Sequence, residues 1–324
     1  MNLTGDQRVF GYEFFNSTSE NHTTDEVDSV VNGILIVILL ITMISLGCTM
    51  EVSKIKGHIV RPKGVCIALV AQFGIMPLTA FCLAKIFQLG PIEAVAVLIC
   101  GCCPGGNLSN IFALALQGDM NLSIVMTTCS TVLTLGAMPL LLYLYCKGVS
   151  GLQQAVPYFG IFVALIMTLA PCGIGIAINH WAPHYSQIIL KIGLSILLIA
   201  IVAIGVLYGI TLGATMWIVF SPQLIAVACL MPFIGYLLGY TLSTIFKQNS
   251  QCRRTIAVET GCQNVMLCFA ILKVAFPPEV IGPLYLFPLI YVIFQTAEAL
   301  LFIVDPAKTA AYVVADTMEE VTLS

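Results

Sequence analysis

Long apolar runs separated by short polar segments extend from about residue 28 to residue 304 of this chain. A helix needs about 20 apolar residues to cross the roughly 30 Å of hydrocarbon in a bilayer. Seven runs reach that length without interruption, and each predicts one membrane-spanning helix, near residues 28–50, 65–87, 121–146, 158–179, 188–210, 222–246 and 279–304. The pattern therefore predicts an all-α polytopic membrane protein.

Two further apolar runs are broken in the middle by short polar segments. The first, near 94–116, is broken by Cys-Cys-Pro-Gly-Gly-Asn-Leu-Ser-Asn at 102–110, and the second, near 255–276, by Glu-Thr-Gly-Cys-Gln-Asn at 259–264. Backbone freed by Pro and Gly within a bilayer must find partners in protein, water or ions, so such breaks are tolerated only where they line a cavity. Interrupted helices in both halves of a chain point to a transport site. The sequence therefore predicts nine membrane-spanning helices, two of them discontinuous, in an ion-coupled transporter.

A Met-Pro pair ahead of each break indicates an internal repeat. Each proline precedes a glycine of the following break by the same 29 residues, in the pairs Pro77 with Gly106 and Pro232 with Gly261. With nine helices, the units 65–146 and 222–304 enter the membrane from opposite sides. This is the arrangement of transporters built from two inverted repeats.

Composition agrees with a membrane protein and excludes other classes. Hydrophobic residues make up 59% of the 324 residues and charged residues only 9%, and the mean hydropathy is +1.00. A soluble domain is far less apolar. The net charge of −3 indicates no acidic or basic partner, and the chain carries no nucleic-acid footprint.

The distribution of charge predicts how the chain is oriented. If the N-terminal tail is extracellular, nine of the 13 basic residues lie on the cytosolic side: Lys54, Lys56, Arg61, Lys63, Lys191, Lys247, Arg253, Arg254 and Lys308. The positive-inside rule then favours a multi-pass plasma-membrane protein with a cytosolic C-terminal tail, 305–324. Residues 1–27 are polar and carry three acceptor sequons, at Asn2, Asn16 and Asn21. They predict an extracellular glycosylated tail, the alternative being sequons that arise by chance.

Cysteine and histidine give no sign of disulfides or of an enzyme. Most of the thirteen cysteines lie within apolar runs, where they act as small hydrophobic side chains, so we expect mainly free thiols. The four histidines lie in the tail and in loops, with neither a metal-ligand spacing nor a nucleophile elbow. The sequence therefore predicts a protein that is not an enzyme.

Glu259 is the acidic residue within the second break. A charged side chain deep in a bilayer costs about 2.5 to 3.5 kcal/mol and is usually matched by a cation, a proton or a polar partner. A sodium ion would provide that match. The alternative is a carboxylate near the cytosolic surface, paired with Arg253 or Arg254.

Other oxygen-bearing side chains accompany Glu259, as a hard cation requires. The breaks supply further candidates, and the next helix opens with more: Ser109, Asn110, Gln263, Asn121, Ser123, Thr127 and Thr128. Ser123 and Thr127 are four residues apart and so share one helix face. For each hydroxyl the alternative is a hydrogen bond to a carbonyl of its own helix. Gln72, an amide within an apolar run, needs a partner in another helix or an ion.

Five segments resemble the sodium/bile acid cotransporter family. They are Ser-Leu-Gly-Cys-Thr-Met-Glu (45–51), Pro-Gly-Gly-Asn-Leu-Ser-Asn (104–110), Gly-Asp-Met-Asn-Leu-Ser (118–123), Glu-Thr-Gly-Cys-Gln-Asn (259–264) and Ala-Phe-Pro-Pro-Glu-Val-Ile-Gly-Pro-Leu (275–284). The resemblance covers about residues 28–304 and implies two domains that move relative to each other, with the substrate path between them. The core domain would comprise 65–146 and 222–304, with both broken helices crossing, and the panel domain 28–50 and 158–210.

The resemblance also implies two sodium sites and a substrate region. The first sodium site would use Ser109, Asn110, Ser123, Thr127 and Glu259. The second would use Gln72, Gln263 and Glu259, with main-chain oxygens around Thr260 and Cys262. Asn264 and Gln295 would face the steroid anion, although Gln295 and Glu298 are also open to interpretation as polar groups near the cytosol. Phe269 stands where the family has a small polar residue, and we expect it to affect the choice of substrate.

The implied function is import of a bile acid, or a similar amphipathic organic anion, with two Na⁺ ions. Two alternatives remain at this point: a sodium-dependent carrier of steroid sulfates with the same fold, and a membrane receptor that no longer transports. The chain also passes from Phe302-Ile-Val directly to Asp305-Pro-Ala-Lys-Thr, without the aromatic and basic stretch expected there. This suggests an alternative or truncated form.

Overall fold

The computed structural model describes residues 33–34, 36–50, 63–147, 156–211 and 220–304, and every described element is a helix or a turn. The helices are α1 (Ile36–Thr49), α2 (Lys63–Ile86), α3 (Pro91–Gly101), α4 (Asn107–Ala115), α5 (Met120–Cys146), α6 (Tyr158–Trp181), α7 (Pro183–Thr211), α8 (Pro222–Ile245), α9 (Ser250–Gly261), α10 (Val265–Ala275), α11 (Pro278–Ile281) and α12 (Phe287–Val304). The predicted glycosylation sites and the C-terminal tail lie outside these residues.

Seven helical segments of the described residues are long and apolar enough to cross a membrane. One of them is α9 with α10, Ser250–Ala275, which is interrupted at Cys262–Asn264, and another is Glu279–Ile303. Helices α1 and α3 are apolar but shorter. The all-helical membrane architecture expected from the hydrophobic pattern is therefore confirmed.

The helix ends follow from local sequence. Asp119 accepts hydrogen bonds from the backbone N–H groups of Asn121 and Leu122, both at 3.0 Å, and so starts α5. Asn249 caps α9 by accepting from Cys252 N at 2.8 Å, and Asn264 caps α10 by accepting from Leu267 N at 3.0 Å. Such side-chain acceptors satisfy N–H groups that a helix leaves unpaired at its start.

The two breaks contact each other in the interior. Asn264 N donates to Pro104 O at 2.8 Å, and a Cβ on Gly106 would lie 3.2 Å from Asn264 Cα. The sequence Pro104-Gly105-Gly106 prevents α3 from continuing as a helix. It also lets the backbone of the first break approach that of the second. The start of α4 and the start of α10 therefore meet at one point.

Helix α1 packs against α6 and α7 through small residues. A Cβ on Gly47 or on Gly175 would overlap main-chain carbonyl oxygen of the facing helix, Cys172 O and Ile44 O respectively. A Cβ on Gly193 of α7 would overlap the side chain of Ser45 in α1. Small residues let helices in a membrane pack backbone against backbone. All thirteen cysteines have free thiols, as predicted.

Candidate functional site

Glu259 lies two residues before the end of α9 and is only 1% exposed. Its Oε1 accepts from Ser109 Oγ at 2.9 Å, from Ser123 Oγ at 2.5 Å and from Thr127 Oγ1 at 3.1 Å. Thr127 Oγ1 is also 3.0 Å from Oε2. The carboxylate is thus surrounded by hydroxyls from α4 and α5. The alternative of a surface carboxylate is wrong.

Asn110 completes this group, which we call the carboxylate cluster: Ser109, Asn110, Ser123, Thr127 and Glu259. Asn110 Oδ1 lies 2.7 Å from Ser123 Oγ and 3.3 Å from Thr127 Oγ1, and Ser109 Oγ is also 2.6 Å from Gly106 O. Each hydroxyl has a single proton to donate, yet each lies within hydrogen-bonding distance of two or three acceptor oxygens. The cluster therefore has more oxygen lone pairs than protons, which is the arrangement that a hard cation satisfies.

The hydroxyls of α5 divide into two groups. Ser123 and Thr127 point toward Glu259, whereas Thr128 Oγ1 donates to Ile124 O at 2.7 Å, within its own helix. Thr131 Oγ1 likewise donates to Thr127 O at 2.7 Å. Thr128 therefore forms the expected alternative, a hydrogen bond to a carbonyl of its own helix, whereas the adjacent Thr127 contacts Glu259.

Gly105 allows the first break to approach the carboxylate. A Cβ at this position would overlap Glu259 Oε2. Only glycine lacks a Cβ atom. Glycine at position 105 therefore makes room for the Glu259 carboxylate, in addition to allowing the chain to turn.

A second polar group surrounds Gln72. Gln72 Nε2 donates to Cys103 O at 2.6 Å and to Gln263 Oε1 at 2.9 Å, so it connects both breaks. Gln263 Nε2 donates to Thr260 O at 2.9 Å. Gln72 lies in a π-helical turn, Ala71–Ile75, a distortion found frequently at functional sites. The amide is recognisable in the sequence, but the distorted turn that presents it is not.

Three side chains around the second break were not expected there from the sequence. Tyr291 Oη donates to Gly261 O at 2.7 Å, and Tyr236 Oη donates to Gln295 O at 2.8 Å. Gln295, expected to face the substrate, is fully buried, and its Oε1 accepts from Gln263 N at 3.0 Å. Tyr236 and Tyr291 both lie within apolar runs, and nothing in the sequence distinguishes them from tyrosines that only pack in the core.

A cavity of about 1160 Å³ lies between α4 and α5 on one side and α1, α6 and α7 on the other. Its wall is mainly apolar, and its polar residues include Asn107, Asn110, Asn179, His180, Ser186 and Gln187. It reaches the carboxylate cluster through Asn110. Ser186 Oγ donates to Cys48 O at 3.0 Å, and Asn179 Nδ2 donates to Met50 O at 3.0 Å, which holds the end of α1 in the cavity wall.

A much smaller cavity of about 30 Å³ lies at the meeting point of the breaks. Gly106, Asn107, Gln263 and Asn264 line it, together with Leu46 and other apolar residues of α1, α7 and α12. Asn107 lines both cavities. This volume suits about one water molecule, so there is little free space where the two breaks meet.

Phe269 is placed away from both of these cavities. Its side chain is 6% exposed, and its ring lies edge-on to Tyr285 at 5.7 Å between centroids. Lys273 Nζ lies 4.5 Å from the centre of the Tyr285 ring. In this conformation Phe269 lies in the middle of α10 and packs against Tyr285.

Comparison with known proteins gives a consistent result. The family model described as Sodium Bile acid symporter family matches residues 36–216, more than half of the chain. The human hepatic sodium/bile acid cotransporter is 58% identical over 278 residues, 85% of this chain and 80% of the relative. The human ileal sodium/bile acid cotransporter is 44% identical over 285 residues, which are 88% of this chain and 81% of that relative. Mouse sodium/bile acid cotransporter 4 is 46% identical over 267 residues, which are 82% of this chain and 61% of that relative.

Proposed function

The chain belongs to the sodium bile acid symporter family, and from that premise we propose how its residues couple sodium to substrate. It is a sodium-coupled symporter of bile acids and not an enzyme. Sodium is the co-transported ion. The observation that carries the proposal is the buried Glu259 carboxylate, which is surrounded by oxygen atoms.

The carboxylate cluster is the first sodium site. Glu259 supplies the negative charge that offsets the cost of placing a cation in the protein interior, and Ser109, Asn110, Ser123 and Thr127 supply neutral oxygens. The shared hydroxyl protons support this assignment, because a bound cation would let each hydroxyl turn its proton to a single acceptor. These residues come from α4, α5 and α9, so ion binding holds both breaks together.

The Gln72 group is the second sodium site. Its oxygens come from the Gln263 amide, from Glu259 and from main-chain carbonyls around Thr260 and Cys262. The hydrogen bonds from Gln72 to both breaks support this placement. The two sites share the Glu259 region, so we expect occupancy of one to favour the other.

Two sodium ions and one monovalent anion carry one net positive charge inward. A tenfold sodium gradient provides about 1.4 kcal/mol per ion, and one charge moving through 100 mV adds about 2.3 kcal/mol. Together these supply about 5 kcal/mol, enough to accumulate substrate on the order of a few thousandfold.

The architecture consists of nine membrane-spanning helices in two inverted repeats, 65–146 and 222–304, which together form the core domain. Residues 28–50 and 158–210 form the panel domain. The contact between the breaks in the core and the glycine-mediated packing of α1 with α6 and α7 support this division. The N-terminal tail is extracellular and glycosylated at Asn2, Asn16 and Asn21, and the C-terminus is cytosolic in the plasma membrane.

The large cavity is the substrate path between the two domains. Its wall contains the C-terminal ends of α1, α4 and α6 and the N-terminal ends of α5 and α7, all cytosolic in the proposed orientation. The narrow cavity at the breaks leaves little space on the other side of Asn107. We infer an inward-open conformation from the position of the large cavity at these helix ends, and transport would then require the panel to move so that the outer side opens.

The test of this function is uptake of radiolabelled taurocholate by cells that express the chain, with sodium compared against choline. Surface protein is measured in parallel by biotinylation, and its glycosylation by the size change after glycosidase treatment. We expect uptake only with sodium. Surface protein without uptake would contradict the proposal, and competition by sulfated steroids would identify a broader substrate range.

A further inference from the structure

Helix α12 holds the second break through two side chains four residues apart. Tyr291 Oη donates to Gly261 O at 2.7 Å, and Gln295 Oε1 accepts from Gln263 N at 3.0 Å. Residues spaced i and i+4 lie above one another on one helix face. This face of α12 therefore contacts the break at a carbonyl and at an N–H two residues later.

Both contacts lie in the protein interior. Tyr291 and Gln295 are fully buried. Gly261 is the last residue of α9, and the last carbonyls of a helix have no partner within it. A buried carbonyl that loses its only donor bears the full desolvation penalty. Tyr291 provides that donor at the point where the helix ends.

The direction of Gly261 O determines the direction of the next carbonyl. Cys262 has extended backbone angles, φ −88° and ψ 109°. In an extended residue the carbonyls before and after it point to opposite sides of the chain. When Tyr291 fixes the Gly261 carbonyl on the α12 side, the Cys262 carbonyl is directed away from α12.

A second tyrosine restrains the same peptide from α8. Tyr236 Oη lies 3.0 Å from Cys262 Sγ and donates to Gln295 O at 2.8 Å. A Cβ on Gly261 would contact the Tyr236 ring at 2.6 Å or less. The side chain of Cys262 and the carbonyl of Gly261 are thus held by two different helices.

We propose that Tyr291 is a positioning residue for sodium: by holding the Gly261 carbonyl, it orients the main-chain oxygens around Thr260 and Cys262 toward the second sodium site. The inference rests on the second site described under Proposed function. Tyr291 itself touches neither the ion nor the substrate; it acts through the backbone of the break.

The test is the sodium dependence of taurocholate uptake by Tyr291→Phe, normalised to surface protein. The ring is kept and one hydrogen bond is removed, so we expect the half-activating sodium concentration to rise about threefold to tenfold. The sodium Hill coefficient should fall toward one, and the taurocholate KM at saturating sodium should stay unchanged. A variant that only loosened packing would lower the maximal rate without shifting the sodium curve.

Tyr158→Phe is the matched control. The Tyr158 hydroxyl is buried without a hydrogen-bonding partner among the described residues, so its removal should leave the sodium curve unchanged. If Tyr291→Phe does not reach the surface, sodium is titrated against the thermal stability of detergent-solubilised protein. The stabilisation midpoint should then shift by the same factor.

Gln263→Ala separates failure of this inference from failure of the proposed site. If Gln263→Ala raises the half-activating sodium concentration and Tyr291→Phe does not, Tyr291 has no positioning role. If neither variant changes the sodium curve, the second site itself is misplaced. A rise in taurocholate KM at saturating sodium would place Tyr291 in the substrate path and would also overturn the inference.

Discussion

Glu259 keeps a carboxylate inside a membrane protein, with hydroxyls and an amide around it. Neutral hydroxyls stabilise a buried charge only in part, and an unpaired buried charge is strongly unfavourable. At the proposed first site, a sodium ion would neutralise the carboxylate and coordinate the remaining oxygen lone pairs.

Glu259→Gln should abolish most sodium-driven uptake, by tenfold or more at physiological sodium, because the amide replaces an anionic oxygen with an N–H donor. The measurement is taurocholate uptake against sodium concentration, with surface protein quantified. Glu93→Gln is the control, since among the described residues the Glu93 carboxylate accepts from Gly90 N at the start of α3 and has no contact with either break. Unchanged sodium affinity in Glu259→Gln would remove the carboxylate from the mechanism.

Thr127→Val and Thr128→Val form a matched pair, because the two threonines are adjacent and both are buried. Thr127 contacts Glu259 and Asn110, whereas Thr128 bonds to its own helix. We expect the half-activating sodium concentration to rise about threefold to tenfold for Thr127→Val and to remain near the native value for Thr128→Val. Equal sodium curves for the two variants would be incompatible with the first site.

The sequence alone identified many of the polar residues of the candidate site, but it did not predict their tertiary contacts. A carboxylate, amides and hydroxyls in apolar surroundings have few interpretations, so Gln72, Ser109, Asn110 and Glu259 were identifiable without a structure. Whether a hydroxyl turns toward its own helix or toward a neighbour depends on packing. For the same reason Gln295 was expected at the substrate, whereas its amide binds the backbone of the second break.

At the scale of elements, the two breaks act as a single unit. The Pro104 carbonyl accepts from Asn264 N, and Gln72 donates to both breaks. Pro and Gly made the breaks predictable, whereas the inverted repeat indicated by the 29-residue spacing to each Met-Pro pair stays a prediction. The π-helical turn around Gln72 was not predictable, because the sequence of Ala71–Ile75 is typical of an ordinary apolar helix.

Gly105→Ala tests how closely the first break must approach the second. Its new Cβ would overlap Glu259 Oε2, so either the break or the carboxylate must shift, and we expect sodium-driven uptake to fall at least tenfold. The control is Gly136→Ala in α5, where a Cβ meets nothing within 4 Å and where Ala is a better helix former by about 1 kcal/mol. Both variants are measured by sodium-dependent uptake per surface molecule; full activity of Gly105→Ala would show that the close approach is dispensable.

At the scale of the whole molecule, coupling requires that ion sites and substrate path share moving parts. Asn110 belongs to the carboxylate cluster through Oδ1 and also lines the large cavity. Asn107 starts α4 and lines both cavities. If the carboxylate cluster binds sodium as proposed, the ion would order part of the wall of the large cavity. The apolar pattern predicted the membrane architecture, but the cavity depends on how helices far apart in sequence pack together.

The number of ions per transport cycle is a property of the whole molecule, and the two proposed sites make it measurable. Two sodium ions with one monovalent bile acid move one positive charge inward, so voltage-clamped cells should show an inward current with about one elementary charge per taurocholate molecule taken up. Current and labelled uptake are recorded from the same cells, and Glu259→Gln serves as the control that loses both. A charge-to-substrate ratio near zero, with uptake still dependent on sodium, would mean that one sodium ion suffices, and the Gln72 group would then be a structural connection between the breaks.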